Sequence, residues 1–479
     1  MIKIARIAVT LGLLSSLGPQ AYAAGLVLND NDLRNDLAWL SDRGVIHLSL
    51  STWPLSQEEI SRALKKAKPS YSSEQVVLAR INQRLSALKA DFRGTGYTST
   101  DQPGTPQGFG QTQPADNSLG LAFNNSGEWW DVHLQGNVEG GERISNGSRF
   151  NVNGAYGAVK FWNQWLSFGQ ILQWWGPGYE GSLIRGDAMR PMTGFLMQRA
   201  EQAAPEIWWL RWVGPWQYQI SASQMNQYIA VPHAKIIGGR FTFSPFQSLE
   251  LGASRIMQWG GEGRPESLSN FWDGLTGKDN TAANDPNEPG NQLAGFDFKF
   301  KLEPTLGWPV SFYGQMIGED ESGFLPSANM FLGGIEGHQS WGKDAVNWYL
   351  EAHDTRSNMS RTNYSYTHHI YKDGYYQKGY PLGDAMGGDG QLVAGKVELI
   401  TEDNQRWSTR LVYAKVNPEN QSINKAFPHA DTLKGIQLGW SGDVYQSVRL
   451  NTSLWYTNAN NSDSDDVGAS AGIEIPFSL

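Results

Sequence analysis

Aromatic, basic and acidic side chains are concentrated in the longer polar segments of this 479-residue chain. Flat aromatic rings stack on the apolar C–H faces of sugars, while acidic and amide side chains bond sugar hydroxyls. Arginine also clamps a carboxylate through two parallel hydrogen bonds, which suits acidic sugars. The candidate residues for such sugar contacts are Tyr364, Tyr366, Tyr371, Tyr375, Tyr376, Arg356 and Arg361 in segment 354–390, Trp174, Trp175, Arg185, Asp187 and Arg190 in segment 174–206, and Trp272 in segment 259–291.

The same aromatic residues also have structural explanations. Tryptophan and tyrosine form girdles at the boundary of a membrane, and they pack the interiors of folded loops. Trp174 and Trp175 stand next to the end of a predicted strand, which favours a place in a girdle. For the tyrosines of segment 354–390, packing within a folded loop and contact with a ligand both stay open.

Motifs for catalysis or metal binding are weak in this sequence. Residues 468–472 match G-x-S-x-G, but they lie inside a strand pattern rather than at a strand-to-helix turn. His368 and His369 are adjacent without a carboxylate-rich pattern around them. The acidic run 463–466 lacks the glycine and the distal glutamate of an EF-hand loop. We therefore expect no catalytic residue, no metal and no cofactor.

Composition excludes several classes of protein. The chain has no cysteine, which excludes disulfides, thiol catalysis and cysteine-based zinc sites. Its net charge of −9 disfavours nucleic acid as a partner, because phosphate binding needs a basic surface. Beyond residue 23, no apolar run reaches the roughly 18 residues that a membrane-spanning helix needs.

The first 23 residues have the features of a secretory signal peptide. Lys3 and Arg6 precede a mostly apolar stretch at 7–17, and Ala21-Tyr22-Ala23 fits the small-x-small cleavage rule. A start-anchored transmembrane helix is the alternative, but the apolar stretch is too short for it. We expect segment 1–23 to be removed and the mature protein to leave the cytoplasm.

Segment 24–90 has the pattern of three short amphipathic helices. Leu33 and Leu37 recur at helical spacing, and capping-box patterns begin at Ser56 and Ser72. Such a set has a small core of its own. A small independent helical domain and a plug on the following region therefore both stay open.

From about residue 91 the apolar pattern changes to a period of two. Apolar and polar residues alternate strictly over 294–302, 448–456 and 467–479, so each segment has one apolar face. A soluble sandwich would also alternate. Successive strands of about 9–11 residues, with aromatics near their ends and a secretion signal, are more typical of an outer-membrane barrel. In lipid the sheet must close, because unpaired backbone groups are costly there.

Short and long links alternate along the predicted strands, including a long link at 174–206 and a short one at 214–215. Seventeen strands occupy 117–479, and Phe92–Thr98 supplies an eighteenth, since bacterial barrels normally have an even number. The fold class predicted is an all-β transmembrane barrel, 91–479, whose N-terminal helical bundle plugs the periplasmic end. Both termini and the short links are then periplasmic, and the long loops are extracellular.

The motif Trp53-Pro54-Leu55-Ser56, the stretch Gln173-Trp174-Trp175-Gly176-Pro177-Gly178 and the barrel to Leu479 carry a family resemblance. The chain resembles the capsule assembly Wzi family from end to end. The resemblance implies an 18-stranded barrel closed by a periplasmic helical bundle and by folded outside loops. It also implies a lectin that binds exported capsular polysaccharide and attaches it to the cell surface, without catalysis.

The expected partners are capsular polysaccharide and outer-membrane lipid, with capsule export machinery as a further candidate, and we expect a monomer. A diffusion channel for oligosaccharides is the alternative function, and it requires an open lumen. A barrel hydrolase is a third, for which the sequence lacks a convincing set of catalytic residues. Barrel architecture alone does not separate binding from transport.

Overall fold

The computed structural model describes residues 24–144, 148–275, 288–322, 325–445, 447–461 and 465–478. The predicted signal peptide, 1–23, and residues 463–464 of the acidic run lie outside the described residues. No helix in the described part of the chain has the length and apolar character needed to span a membrane.

Within the described residues, eighteen antiparallel strands form one closed barrel, as predicted. The fourth strand is interrupted, and both of its pieces pair with the third. The last strand pairs with the first, which closes the sheet. The strands are β1 Phe92–Ser99, β2 Ala115–Ser126, β3 Trp130–Glu142, β4 Phe150–Asn151 with Tyr156–Phe161, β5 Gln164–Gln170, β6 Thr193–Arg199, β7 Trp216–Gln224, β8 Lys235–Phe246, β9 Leu249–Trp259, β10 Gly290–Lys301, β11 Val310–Ser322, β12 Leu325–Trp341, β13 Asp344–Asp354, β14 Gln391–Ile400, β15 Arg406–Val416, β16 Asp431–Tyr445, β17 Val448–Ala459 and β18 Asp466–Phe477.

The alternation of the sequence sorts side chains between the outside and the lumen. On β17, Leu454 is 59% exposed on the outer wall, whereas the neighbouring Trp455 is 4% exposed and points inward. Leu119, Leu121 and Phe298 are likewise exposed on the outer wall. This outward apolar surface is the one that a barrel presents to lipid.

Between residue 24 and the barrel lie three helices: α1 Asn31–Asp42, α2 Gln57–Lys65 and α3 Ser72–Leu88. Asp30 caps α1 by accepting a hydrogen bond from the Leu33 amide at 2.8 Å. Two short helices, α4 Leu268–Leu275 and α5 Glu303–Leu306, lie in links between strands.

The helical bundle sits inside the end of the barrel that carries the short links. The Gln247 side chain, in the link after β8, donates to the Gly44 carbonyl at 2.7 Å. The Trp39 indole donates to the Gln339 carbonyl near the end of β12 at 3.0 Å. Arg84 of α3 pairs with an inward glutamate of β18 at 2.7 Å. These contacts position the bundle as the predicted plug.

The links around β6 differ from the prediction. The strand is Thr193–Arg199, inside the segment expected to be a long loop, so the bounds 174–206 and 214–215 are wrong. The apolar run at 207–213, expected to be a strand, lies at the short-link rim instead. Trp208 is 80% exposed there, and Trp212 contacts Phe243 of the outer wall edge to face. An apolar run can satisfy the same pattern at a membrane interface, which explains the error.

Candidate functional site

The chain fills the lumen of its own barrel from both ends. Thr52–Trp53, between α1 and α2, pairs antiparallel with Trp174–Trp175 of loop 171–192. The ring of Phe109 lies 5.2 Å from the rings of both Trp53 and Trp174. The N-terminal segment and a long loop from the opposite end therefore share one small sheet and one aromatic cluster inside the barrel.

A buried ion pair joins this small sheet to the barrel wall. Arg240 of β8 bonds Asp297 of β10 through two nitrogens, at 2.6 and 2.9 Å. The same guanidinium donates to the Thr52 hydroxyl at 2.7 Å and to the Ser51 hydroxyl at 2.8 Å. The Arg240 side chain is fully buried, so its charge depends on these partners.

The candidate tyrosines of loop 355–390 lie in the interior, except Tyr364. Tyr366, Tyr371, Tyr375 and Tyr376 are at most 2% exposed and belong to one hydrophobic core. The Tyr366 hydroxyl donates to the Leu183 carbonyl at 2.5 Å, and a second tyrosine, Tyr375, reaches the next carbonyl of loop 171–192 at 2.8 Å. These four rings hold loops together, and in this arrangement they are not accessible to a polymer.

The candidates of segment 174–206 are also buried. Trp174 and Trp175 lie in the lumen rather than in a lipid-facing girdle. Arg190 pairs with Glu139 at 2.6 Å. Arg185 is buried beside a tyrosine, and burial lowers the pKa of its guanidinium. These residues position the loop inside the barrel.

Asp187 links three separate parts of the chain. Its carboxylate accepts hydrogen bonds from the Asn29 amide at 3.2 Å and from the Gly110 backbone at 2.8 Å. Burial raises the pKa of Asp187 to about 6, since no cation pairs with it among the described residues. This carboxyl is therefore the titratable contact between the N-terminal segment, loop 100–114 and loop 171–192.

The exposed candidates are few. Arg361 stacks its guanidinium over the Tyr364 ring at 4.0 Å from the ring centre, on the outer surface of loop 355–390. Trp272 of α4 is 57% exposed. Arg356 is half-buried and binds the Asp354 carboxylate at 2.6 and 3.0 Å. Arg361 and Trp272 are exposed, and Tyr364 is half-buried next to Arg361. These three residues present the surface that sugar stacking requires.

Among the described residues, two clusters have side chains of the types that ligate metal ions. In the first, Glu288 contacts His368 at 3.0 Å and His369 at 2.9 Å. The His368 Nδ1 atom accepts from the backbone amides of Ile370 and Tyr371, so the neutral ring carries its proton on Nε2, toward Glu288. Burial lowers the pKa of His368 to about 3. The sequence pattern missed Glu288, because this carboxylate comes from a different loop.

The second cluster contains Asp42 of α1 with Glu336 and His338 of β12, all buried. The Lys299 ammonium contacts both carboxylates, at 2.9 Å from Asp42. Although burial alone would raise it, Lys299 and His338 hold the pKa of Asp42 well below its usual range. A cation of the chain itself already occupies this cluster.

A polar cavity of about 320 Å³ lies between the loops and the wall formed by β14 to β18 and β1. It reaches the exposed Arg143 on the side of the long loops and Asp32 at the first turn of α1. Beside charged residues such as Lys396, the wall has small or uncharged inward side chains: Gln437, Gly439, Asn451, Ser453 and Ser470. Small side chains on consecutive strands leave this part of the lumen unfilled.

Lys396 of β14 is the one buried cation of this cavity without a partner among the residues that the structure describes. It is 8% exposed. By contrast, Arg410 pairs with Glu180 at 2.5 Å, and Arg449 pairs with Asp32 at 2.5 Å. Sequence reasoning missed Lys396, although the alternation of β14 marks it as an inward charge.

The comparisons with known proteins agree with this architecture. The model of the capsule assembly protein Wzi family matches residues 93–471. The chain belongs to this family. The resemblance predicted from the sequence is confirmed.

Two relatives of this Wzi family member illustrate the similarity. A Klebsiella pneumoniae protein, described as an uncharacterized 55.8 kDa protein in the cps region, is 93% identical over 479 residues, which is 100% of this chain and 95% of that protein. The structure of Wzi from Escherichia coli is 94% identical, covers 95% of this chain and 100% of that one, and has a TM-score of 0.91. That protein is described as an outer membrane protein involved in group 1 capsule assembly and a carbohydrate-binding β-barrel.

Proposed function

We propose that this chain is an outer-membrane lectin that binds exported capsular polysaccharide and anchors it to the cell surface during capsule assembly. The description of the 94%-identical Escherichia coli protein as a carbohydrate-binding barrel of capsule assembly supports this function. The structural observation that carries it is a barrel filled by its own chain, which keeps a polar cavity and exposed aromatic residues toward the long loops.

The filled lumen argues against a diffusion channel for oligosaccharides. Trp53 and Trp174 are at most 2% exposed and pack against Phe109 in the interior, with tilted and edge-to-face ring contacts. A solute that crosses the barrel along this path must displace these rings, the small sheet and the helical bundle. Burial of large aromatic side chains makes such displacement costly.

The proposed mature protein contains a periplasmic helical bundle, 24–90, and a barrel, 91–479, in contact with outer-membrane lipid. The apolar outer wall supports the lipid contact. Both termini then face the periplasm with the short links, and the long loops face the outside. The protein acts as a monomer, and its helical end is the surface available to capsule export machinery.

The protein acts by binding, without catalysis. The serine of the G-x-S-x-G match, Ser470, lies in β18, and its hydroxyl is 2.8 Å from the Ser453 hydroxyl of β17. No histidine or carboxylate contacts it among the described residues. This environment lacks the base that a nucleophilic serine needs.

The more exposed candidate residues contact the polymer, while the buried candidate residues stabilise the structure of the loops. The exposed Arg361 and Trp272, with the half-buried Tyr364 next to Arg361, offer stacking and hydrogen bonding on the outer surface. Tyr366 and Tyr375 hold loop 355–390 against loop 171–192 through their hydroxyls. Substitution of the buried rings should therefore change loop structure as well as binding.

Binding of purified capsular polysaccharide to the detergent-solubilised barrel tests the function, by titration calorimetry. Stacking contacts contribute about 0.5–1.5 kcal/mol, so Tyr364→Ala should weaken binding by about 2- to 10-fold. Trp208→Ala is the matched control, because it removes an exposed aromatic ring at the opposite rim. In cells, loss of the protein should release polymer into the medium. The proposal would be overturned if the purified barrel did not bind the polymer and cells without the protein kept a normal capsule layer.

A further inference from the structure

Lys396 is a buried residue whose charge faces the cavity and is not neutralised by a partner within the described residues. Its side chain points into the barrel and is 8% exposed. Buried ammonium groups are normally paired, because removing a charge from water without a partner is costly. No hydrogen bond or ion pair reaches Lys396 within the described residues. The Lys396 ammonium therefore faces the cavity, where a ligand can contact it.

The carboxylates that line the same cavity are already engaged. Asp30 accepts a hydrogen bond from Arg84 at 2.6 Å, and Asp32 accepts one from Arg449 at 2.5 Å. Glu398, two residues along β14, accepts from an asparagine amide of α1 at 3.1 Å. None of the three pairs with Lys396 within 4.0 Å in the part of the chain described. The local balance of charge thus favours an incoming anion.

The remaining lining suits a sugar. Asn451, Ser453, Ser470 and Gln437 turn amide and hydroxyl groups toward the cavity, and these groups exchange hydrogen bonds with sugar hydroxyls. A volume of about 320 Å³ lies at the lower end of the range of small-ligand pockets. The cavity reaches exposed Arg143 on the side of the long loops, so a chain end or side branch has a route inward.

We propose that this cavity binds a carboxylate-bearing sugar unit of the polysaccharide, with the carboxylate on the Lys396 ammonium. The neighbouring amides and hydroxyls hold the hydroxyls of the same unit. This inference rests on the proposed function and adds to it the chemical class of the ligand and the residue that selects it. An ammonium–carboxylate contact in a partly desolvated cavity is stronger than one at the surface.

The experiment uses the full-length barrel and two forms of one polymer. The polysaccharide is purified from the strain that makes this protein, and half of it is converted so that its carboxylates become primary alcohols. Titration calorimetry then compares the native barrel, Lys396→Met and Lys415→Met with both polymers. Lys415 is a matched control, because it is an exposed lysine on the adjacent strand β15. Lys396→Met removes an unpaired buried charge, so we expect it to fold.

The native barrel should bind the intact polymer about 10- to 100-fold more tightly than the reduced one, and Lys396→Met should erase that difference. Lys415→Met should bind like the native barrel. This inference would be overturned if the native barrel bound the unreduced and reduced polymers equally. It would also be overturned if Lys396→Met kept the native preference for the unreduced polymer. Either result would leave the lectin function in place. Failure of the native barrel to bind either form would overturn the lectin function itself.

Discussion

The ion pair between Arg240 and Asp297 allows a quantitative test of how the plug is held. Among the described residues, Asp297→Ala would leave a fully buried guanidinium with only hydroxyl partners, those of Ser51, Thr52 and Ser254. Removing one member of a buried pair costs about 3–5 kcal/mol. The unfolding equilibrium constant should then rise by about two to three and a half powers of ten. Equilibrium denaturation of the detergent-solubilised barrel, followed by tryptophan fluorescence, measures this change.

Two control variants make the result interpretable. The pair between Lys343 and Glu402 is about half exposed on both sides, so Lys343→Ala should cost at most about 1 kcal/mol. The double variant Arg240→Met/Asp297→Leu leaves neither charge buried and should be close to native stability. A loss below about 1 kcal/mol for Asp297→Ala alone would refute the reasoning, because it would mean that the guanidinium is solvated.

Two further predictions concern the lumen. The folded protein raises the pKa of Asp187 from 3.8 to about 6, so its contribution to stability is present below pH 4 and is lost as the pH rises through 6. Asp187→Asn should therefore reduce the fall in melting temperature between pH 4 and pH 7, and an unchanged pH profile would contradict this account. Trp53→Ala removes a fully buried ring and should cost about 3–5 kcal/mol in denaturation experiments. It should also raise the conductance of the barrel in planar bilayers, and an unaltered conductance would show that Trp53 is not part of the seal.

The barrel was predictable because its physical requirement repeats at every strand. Lipid outside and a packed lumen inside impose a period of two, as Leu454 and Trp455 show on β17. The prediction failed around β6, where Thr193–Arg199 is short and the run at 207–213 is more apolar. Apolar content does not distinguish a strand from a segment at the membrane interface.

The interior of the loops was less predictable, because it depends on distant contacts. Tyr366 is buried, and its hydroxyl donates to the carbonyl of Leu183, which is 183 positions away in the chain. Arg410 on the neighbouring strand finds its carboxylate partner, Glu180, 230 positions away, whereas Lys396 pairs with no carboxylate among the described residues. The residue type identified Tyr366 as a candidate for sugar contact, whereas the sequence analysis did not single out Lys396. The three-dimensional pairing decided which groups are available.

The small sheet in the lumen has a consequence for engineering and for divergence among relatives. Loop 171–192 rests on Thr52–Trp53, which is encoded far upstream and approaches from the other side of the barrel. A chimera that exchanges the outer loop alone would receive half of a sheet and half of an aromatic cluster. A chimera that transfers ligand preference between relatives must therefore exchange the segment around Thr52–Trp53 together with the loop.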